Sequence, residues 1–343
     1  VPDPSTIEAV GFFAEHALDL PPADCGHDVC VHPFLSVMPR FNGGNWTMAY
    51  VAMNTPVDPS ELERPPLHVS VAVEQMDPYG DYGHALRAGL EELIASLRPE
   101  YRLSLSMYGA DPSPLLIHAP ADDPVVTEAL DIVEQQAFSY DDQKNLHAGL
   151  TSAWRAFDAV PFEGAERIVL VTSANANVGI TDRERILQFG EGVARAGVAL
   201  GIVGTGDDYD GELGAALGSL GAGSYAFASD GNDLRDVLRL EAETTLFPLA
   251  TDFVMNLRPA PGYRVGRVYG VERAVPMGDG VQLSLPALFI GQREGADDTA
   301  GGRRGGGGGL FVELIADSAS GVGREAPAFS LDTSFVEPAG LAS

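Results

Sequence analysis

The chain has 343 residues, which is enough for two domains with separate cores. Its 49 acidic and 21 basic residues give a formal charge of −28, so we exclude nucleic acid and anionic membranes as partners. No apolar run is long enough to span a bilayer. The chain begins at Val1 with neither a methionine nor a signal peptide, which predicts a processed or trimmed chain.

The N-terminal region predicts a helix and then a β-hairpin. A capping box and an apolar stripe favour a helix over residues 5–18. Two β-like runs, residues 29–38 and 46–54, are joined by a turn at Asn-Gly-Gly, residues 42–44. A charged, proline-rich linker follows over residues 55–66.

The only two cysteines, Cys25 and Cys30, lie in the short segment Cys-Gly-His-Asp-Val-Cys. This pair predicts a small-loop disulfide and therefore an oxidising location: secreted, periplasmic or at the cell surface. The alternative is a metal site that recruits His27 and His32, although the sequence lacks a second ligand pair at zinc spacing.

Between residues 66 and 246, strand and helix patterns alternate. This alternation predicts a doubly wound α/β domain: a mostly parallel, Rossmann-like sheet with helices on both faces. The predicted strands cover residues 67–73, 101–108, 115–118, 167–172, 199–204 and 223–228. The predicted helices cover residues 82–97, 123–135, 146–157, 182–196, 210–218 and 230–240. The short β-branched run 69–73 and the segment 167–172 are rich in apolar residues, as is typical of strands buried on both faces.

After residue 247 the helical patterns stop. Further strands are predicted at residues 251–258, 263–271, 281–290 and 309–316. We expect residues 250–317 to join residues 1–60 in one β-sandwich-like domain, into which the α/β domain is inserted. The glycine-rich segment 294–309 predicts a flexible loop, and residues 318–343 an extended tail.

Three loops are expected to meet at the carboxyl edge of the predicted parallel sheet, where open α/β sheets bind their ligands. The first starts at Glu74 and continues Gln-Met-Asp-Pro-Tyr-Gly. The second, residues 139–150, contains Lys144, the only lysine of the chain. The third, residues 172–180, is Thr-Ser-Ala-Asn-Ala-Asn-Val-Gly-Ile.

The order and flanks of these segments resemble a von Willebrand factor type A domain. More narrowly, they resemble the bacterial predicted-lipoprotein group in which this domain is inserted in a β domain. The resemblance covers most of the chain and includes Pro-Pro-Leu-His-Val, Leu-His-Ala-Gly-Leu, Arg-Ile-Val-Leu-Val-Thr and Asn-Val-Gly-Ile-Thr-Asp. It implies a divalent cation held by Asp-x-Ser-x-Ser, a Thr and an Asp, with one more carboxylate from the partner protein.

This chain departs from that ligand set at every position. Glu74 stands in place of the first Asp, Met76 and Pro78 in place of the two hydroxyls, Lys144 in place of the Thr, and Ser173 in place of the second Asp. A thioether and a proline ring offer no ligand to a hard cation, and an ammonium repels it. We therefore predict a degenerate site without a metal cofactor.

In this degenerate site the Lys144 ammonium is expected to replace the cation and pair with Glu74, near Asp77, Asp141 or Asp142. One alternative is an exposed lysine on a surface loop, and another is a crosslink between Lys144 and Asn145. A further alternative is a variant metal site that holds Mg²⁺ or Ca²⁺. Its ligands would be Glu74, Asp77 and Asp142.

The sequence predicts a non-catalytic, exported or cell-surface scaffold that binds other proteins through the top of the sheet. The expected contact residues are Asp77, Tyr79, Tyr82, Tyr140 and Asp142. The alternatives are a cation-dependent adhesion module and a self-assembling surface or filament subunit, with a lipid anchor ahead of Val1. No Gly-x-Ser-x-Gly motif or phosphate loop indicates an enzyme. The acidic segment 207–212 is expected to cap a helix rather than to bind Ca²⁺.

Overall fold

A computed structural model describes most of the chain. The described residues are 20–39, 44–57, 64–76, 80–138, 142–270, 274–289, 310–316 and 327–336. The chain divides into two compact units, one formed by residues 1–63 with 248–343 and the other by residues 64–247. The predicted helix over residues 5–18 and the predicted loop over residues 294–309 lie outside the described residues.

Strands and helices are numbered here in chain order. The strands are β1 (Cys30–Pro39), β2 (Asn45–Asn54), β3 (Leu67–Glu74), β4 (Arg102–Tyr108), β5 (Pro112–Pro120), β6 (Ala165–Thr172), β7 (Ala199–Thr205), β8 (Ser224–Ala228), β9 (Ala250–Pro259), β10 (Tyr263–Tyr269), β11 (Ala274–Met277), β12 (Gly280–Leu288), β13 (Leu310–Ala316) and β14 (Phe329–Val336). The helices are α1 (Tyr82–Ala95), α2 (Pro124–Gln136), α3 (Leu146–Asp158), α4 (Arg183–Arg195), α5 (Gly211–Gly218) and α6 (Gly231–Leu240), and α6 continues into a short π-helix, Glu241–Thr245.

The β unit consists of two antiparallel four-stranded sheets, ordered β1-β2-β13-β10 and β11-β12-β9-β14. Buried side chains of both sheets share one apolar core, which includes Val51, Phe253, Leu283 and Val312. The predicted hairpin and β-sandwich-like arrangement are confirmed. Strand β14 was not predicted, because it is an edge strand whose mostly exposed side chains show no clear apolar alternation. Part of the predicted extended tail therefore belongs to a sheet.

The α/β unit contains a six-stranded sheet ordered β5-β4-β3-β6-β7-β8. All neighbouring strands are parallel except β5, which runs antiparallel to β4 at one edge. Helices α1, α2 and α6 pack on one face, and α3, α4 and α5 pack on the other. The predicted doubly wound α/β fold is confirmed. Among the described helices, none is both long and apolar enough to cross a membrane.

Acidic and amide side chains begin most of these helices. A side-chain oxygen of the N-cap residue accepts a hydrogen bond from the first turn of α2 to α6; these residues are Asp123, Asn145, Asp182, Asp210 and Asp230. Each such cap typically stabilises a helix by about 1 kcal/mol. Part of the acid enrichment of the chain is therefore structural, and Asp210 fulfils the capping role predicted for residues 207–212.

The central strand β3 presents two different faces. All eight of its residues are buried. Val69, Val71 and Val73 enter the core beneath α1, α2 and α6. The alternating positions, which include His68 and Ser70, share the opposite face because side chains alternate along a strand. The face that lies against α3 is consequently partly polar.

An ion pair is buried at the start of β6, in a run that predicts an apolar strand. The Arg167 guanidinium is fully buried and donates to Glu241 Oε1 from Nη2 at 2.6 Å and from Nε at 3.0 Å. Ser224 Oγ lies 3.0 Å from Glu241 Oε2. A Cβ on Gly201 would lie 2.2 Å from Glu241 Oε1, so only glycine leaves room for this carboxylate. The pair joins β6 and β8 to the π-helix.

Replacing Glu241 by Gln should strongly destabilise the α/β unit. The substitution removes the carboxylate partner of the buried Arg167 charge, and removing one partner of a buried ion pair typically costs about 3–5 kcal/mol. Urea unfolding followed by helical circular dichroism measures the loss. The matched control is Glu191→Gln, which removes a pair whose side chains are 75% and 52% exposed and should cost under about 1 kcal/mol. Equal small losses for the two variants would contradict this account.

The buried imidazole of His68 should make the fold sensitive to acid. Burial, followed by the nearby His118 and Arg102, lowers the pKa of His68 from 6.5 to about 4. The unfolded chain then binds more protons in that interval, so this stability is complete above pH 6.5 and is lost as the pH falls toward 4. We expect His68→Asn to flatten the dependence of Tm on pH across this interval. The exposed His84→Asn control should retain the wild-type slope.

Candidate functional site at the carboxyl edge of the sheet

Glu74 ends the central strand β3 and is fully buried. Its Oε1 accepts a hydrogen bond from Ser173 Oγ at 2.7 Å. Its Oε2 accepts from Thr172 Oγ1 at 2.7 Å and from the Ser173 backbone N–H at 3.1 Å. Tyr108 Oη lies 3.1 Å from the same Oε2 and 2.9 Å from Thr172 Oγ1. Both carboxylate oxygens of Glu74 therefore point into the protein and are bonded to protein donors.

The parallel register places these donors around Glu74. Tyr108 lies directly opposite Glu74 on β4. On the other side, Val73 pairs with Val171 on β6, so the next residues, Glu74 and Thr172, meet at the strand ends. Burial raises the pKa of Glu74, while the hydrogen bonds from Thr172 and Ser173 and the charge of Lys144 act in the opposite direction.

Lys144 precedes α3, and its side chain is only 6% exposed. Its Nζ forms an ion pair with Asp208 and lies 3.2 Å from Asp142 Oδ1. Asp208 also accepts a hydrogen bond from Asn175 Nδ2 at 3.0 Å. Burial lowers the pKa of Lys144, but the hydrogen bonds to Asp208 and Asp142 outweigh burial and leave the pKa raised.

The expected direct ion pair between Lys144 and Glu74 is not formed. Among the described residues, the ion-pair partners of Lys144 are Asp142 and Asp208. Glu74 already has hydroxyl and backbone donors, and the loop after β7 supplies Asp208, a closer carboxylate for the ammonium. Lys144 acts on Glu74 only as a charge at longer range.

The loop that carries Lys144 is fixed by its neighbours. The Lys144 N–H donates to Asn177 Oδ1 at 2.8 Å, and the Asn177 N–H donates to the Lys144 carbonyl at 3.0 Å. The Asn145 side chain accepts from the Ala148 N–H and donates to the Ala110 carbonyl at 2.8 Å. A Cβ on Gly179 would lie 2.5 Å from Asn145 Oδ1, which requires glycine at this close approach. The Asn145 amide thus has a structural role, and the Lys144 ammonium is directed at Asp208.

Two residues predicted for this site lie elsewhere. Met76 belongs to the apolar core beneath α1, α2 and α6 rather than to the site. Tyr82 is 2% exposed and donates from Oη to the Glu74 carbonyl at 3.2 Å, so it does not present a contact surface. Five further predicted residues lie outside the described residues: Asp77, Pro78, Tyr79, Tyr140 and Asp141. The predicted disulfide between Cys25 and Cys30 is confirmed and belongs to the β unit.

Three members of the site were not predicted. Tyr108 follows from strand register, which becomes visible only once β3 and β4 are paired. Thr172 is the last residue of a predicted strand and lies beside Glu74 for the same reason. Asp208 follows β7, a third parallel strand whose carboxyl end meets this edge, so the rule that identified the other loops would have included it.

Comparison with known proteins identifies the fold. No family model matches the sequence, and no curated protein matches it. Among solved structures, the chain is similar to the von Willebrand factor type A protein from Catenulispora acidiphila, with a TM-score of 0.58 and 14% identity over 91% of this chain and 70% of that one. The α/β unit has the von Willebrand factor type A fold.

Two further solved structures match less closely. The ArnB paralog VWA2 from Sulfolobus acidocaldarius has a TM-score of 0.43 and 13% identity, over 91% of this chain and 76% of that one. The SpRpn10 VWA domain has a TM-score of 0.41 and 14% identity, over 50% of this chain and 93% of that one. At these identities, likeness to the von Willebrand factor type A fold describes architecture alone.

Among the described residues of this fold, no group of three or more His, Cys, Asp or Glu side chains is placed to hold a metal ion. The variant metal site predicted from Glu74, Asp77 and Asp142 includes one residue, Asp77, outside the described part of the chain. For the two described members, the Glu74 carboxylate is buried and hydrogen-bonded, whereas the Asp142 side chain is 73% exposed.

Replacing Asp208 by Asn should remove an acid-sensitive contribution to stability. Burial raises the pKa of Asp208, but hydrogen bonds from Lys144 and Asn175 outweigh burial, so the pKa is lowered from 3.8. The ion pair therefore stabilises the fold above pH 3.8 and is lost as the pH falls through the folded-state pKa. We expect a lower Tm at neutral pH and a flatter acid limb. Asp207→Asn at the exposed neighbour is the control, and an identical loss there would contradict the assignment.

Proposed function

We propose that the carboxyl edge of the α/β sheet is a metal-independent protein-binding surface, in an exported or cell-surface scaffold protein that is not an enzyme. The observation that carries this proposal is the hydrogen bonding of Glu74. This residue stands where the resemblance predicts the first cation ligand. Its carboxylate is instead buried, and both of its oxygens already accept hydrogen bonds from Thr172 and Ser173.

The remaining residues do not fit a divalent cation. Hard cations require several oxygen ligands, and an ammonium beside them is repulsive. Lys144 supplies that ammonium and is paired with two carboxylates, Asp142 and Asp208. Met76, at a position where the family uses a hydroxyl, packs in the apolar core. These contacts support a site in which protein groups replace both the ion and its ligands.

The proposed binding surface is an acidic rim around the buried Lys144. The side chains of Asp142 and Asp208 are 73% and 47% exposed, so their outer oxygens are available to a partner. This charge favours a basic or hydrogen-bond-donating protein surface and disfavours an acidic one. Tyr79, Tyr140 and Asp77 remain proposed contacts in the same loops. Tyr82 is buried and is not part of this surface.

The proposed location rests on the disulfide. Cys25 and Cys30 are joined in the β unit, and structural disulfides persist in oxidising environments such as the periplasm or the cell exterior. A small covalent loop suits a chain that works outside the reducing cytosol. The disulfide therefore supports an exported protein.

The proposal predicts that divalent cations do not stabilise the protein. We expect the same Tm in millimolar Mg²⁺, in millimolar Ca²⁺ and in EDTA, since no site gains ligand-linked stability. Differential scanning calorimetry of the full chain measures this. A rise in Tm with either cation, abolished by Asp142→Asn, would instead establish the variant metal site and overturn the proposal.

A further inference from the structure

A second feature of the α/β unit lies away from the carboxyl edge. A cavity of about 510 Å³ lies between helix α3 and the strands β3, β4 and β5, of which β5 is at the edge of the sheet. This volume falls in the range of small-molecule binding sites, which is roughly 300–1,000 Å³. Its lining residues all belong to the α/β unit, and none of them takes part in the site built around Glu74 and Lys144.

The floor of the cavity carries hydroxyl groups. Ser70 on β3 pairs in register with Ser104 on β4, and both line the cavity together with Ser106. Ser104 Oγ is occupied, because it accepts the His118 N–H at 2.9 Å and lies 2.8 Å from His68 Nε2. Ser106 differs: it is 5% exposed, and its Oγ has no hydrogen-bond partner among the described residues. Buried hydroxyls normally have a partner, so Ser106 indicates a missing one.

The walls of the cavity are apolar and are provided by the edge strand. Ile117 of β5 lines one side, together with Pro112 and Pro114, whereas the Leu116 side chain lies on the opposite face, in the core beneath α1, α2 and α6. Ile117 is 48% exposed, although it is a large apolar side chain. An apolar wall above a hydroxyl floor suits a ligand with a hydrocarbon body and at least one polar atom.

A single charged group lines the cavity. Arg155, in the last turn of α3, is exposed and forms no ion pair with any described residue. Some other arginines of this strongly acidic chain form ion pairs, for example Arg183 with Asp210 and Arg235 with Glu92. His147 also lines the cavity, but burial and then Arg185 lower its pKa, which keeps it neutral at pH 7. The charge offered to a ligand is therefore one guanidinium.

We propose that this cavity binds a small amphipathic monocarboxylate. The carboxylate pairs with the Arg155 guanidinium, which is suited to bidentate recognition of such groups. The hydrocarbon chain lies against Pro114 and Ile117, over the strand face that carries Ser104 and Ser106. Recognition needs both the charge and the apolar body.

The probe ligand is octanoate, which has both a carboxylate and a hydrocarbon chain. Acetate lacks the hydrocarbon chain and octanol lacks the charge, so these two compounds are the controls. In isothermal titration calorimetry on the full chain, we expect octanoate to bind and the other two to bind at least about tenfold more weakly. Inorganic phosphate should also bind weakly. Acetate or phosphate binding as tightly as octanoate would overturn the assignment of an amphipathic ligand.

Two variants locate the binding. Arg155→Gln should weaken octanoate binding at least about tenfold, whereas Arg195→Gln, at an exposed arginine in the last turn of α4 and outside the cavity, should leave it unchanged. Ile117→Asp places a carboxylate on the exposed wall without a change to the core and should also abolish binding. Absence of octanoate binding, or binding that both cavity variants leave intact, would overturn the proposal.

Discussion

The constraint on which the top of the sheet depends is the burial of one carboxylate at the end of its central strand. Glu74 is removed from water, and a buried carboxylate without partners is strongly unfavourable. Both neighbouring strands therefore contribute donors: Tyr108 from β4, and Thr172 with Ser173 from the end of β6. Each donor position follows from parallel register. The parallel register of three strands is therefore what supplies the buried carboxylate with its hydrogen-bond donors.

Lys144, the only lysine of the chain, joins two loops at the carboxyl edge of the sheet. Its ammonium holds Asp142, ahead of α3, and Asp208, after β7, so one charge joins segments far apart in the chain. A divalent cation would neutralise more negative charge than one ammonium can. One ammonium therefore leaves some negative charge at the edge. That remaining charge is limited because Asp210 pairs with Arg183 and because burial favours the neutral form of Glu74. The carboxyl edge of the sheet is therefore acidic on its exposed side, while its buried carboxyl group does not add an unpaired charge.

Much of the fold was predictable because its signals are local. The alternation of strand and helix, the apolar run of β3 and the Asp caps are each set within a few residues. The contacts that the sequence did not predict join residues that only the tertiary fold brings together. Arg167 lies in an apolar run, and its partner Glu241 is distant in sequence. For Lys144, the choice of Asp208 over Glu74 depends on which acceptors were already hydrogen-bonded.

The two sites of the α/β unit share one strand face and one helix. The period of two that places Glu74 on the α3 side of β3 also places His68 and Ser70 there, next to the cavity. Helix α3 begins with Asn145, beside Lys144, and carries Arg155 in its last turn. A Cβ on Gly149 would lie 2.6 Å from the Tyr108 ring, so α3 packs directly against the tyrosine that contacts Glu74. Helix α3 therefore packs against a tyrosine that satisfies Glu74 near its start and lines the cavity along its length.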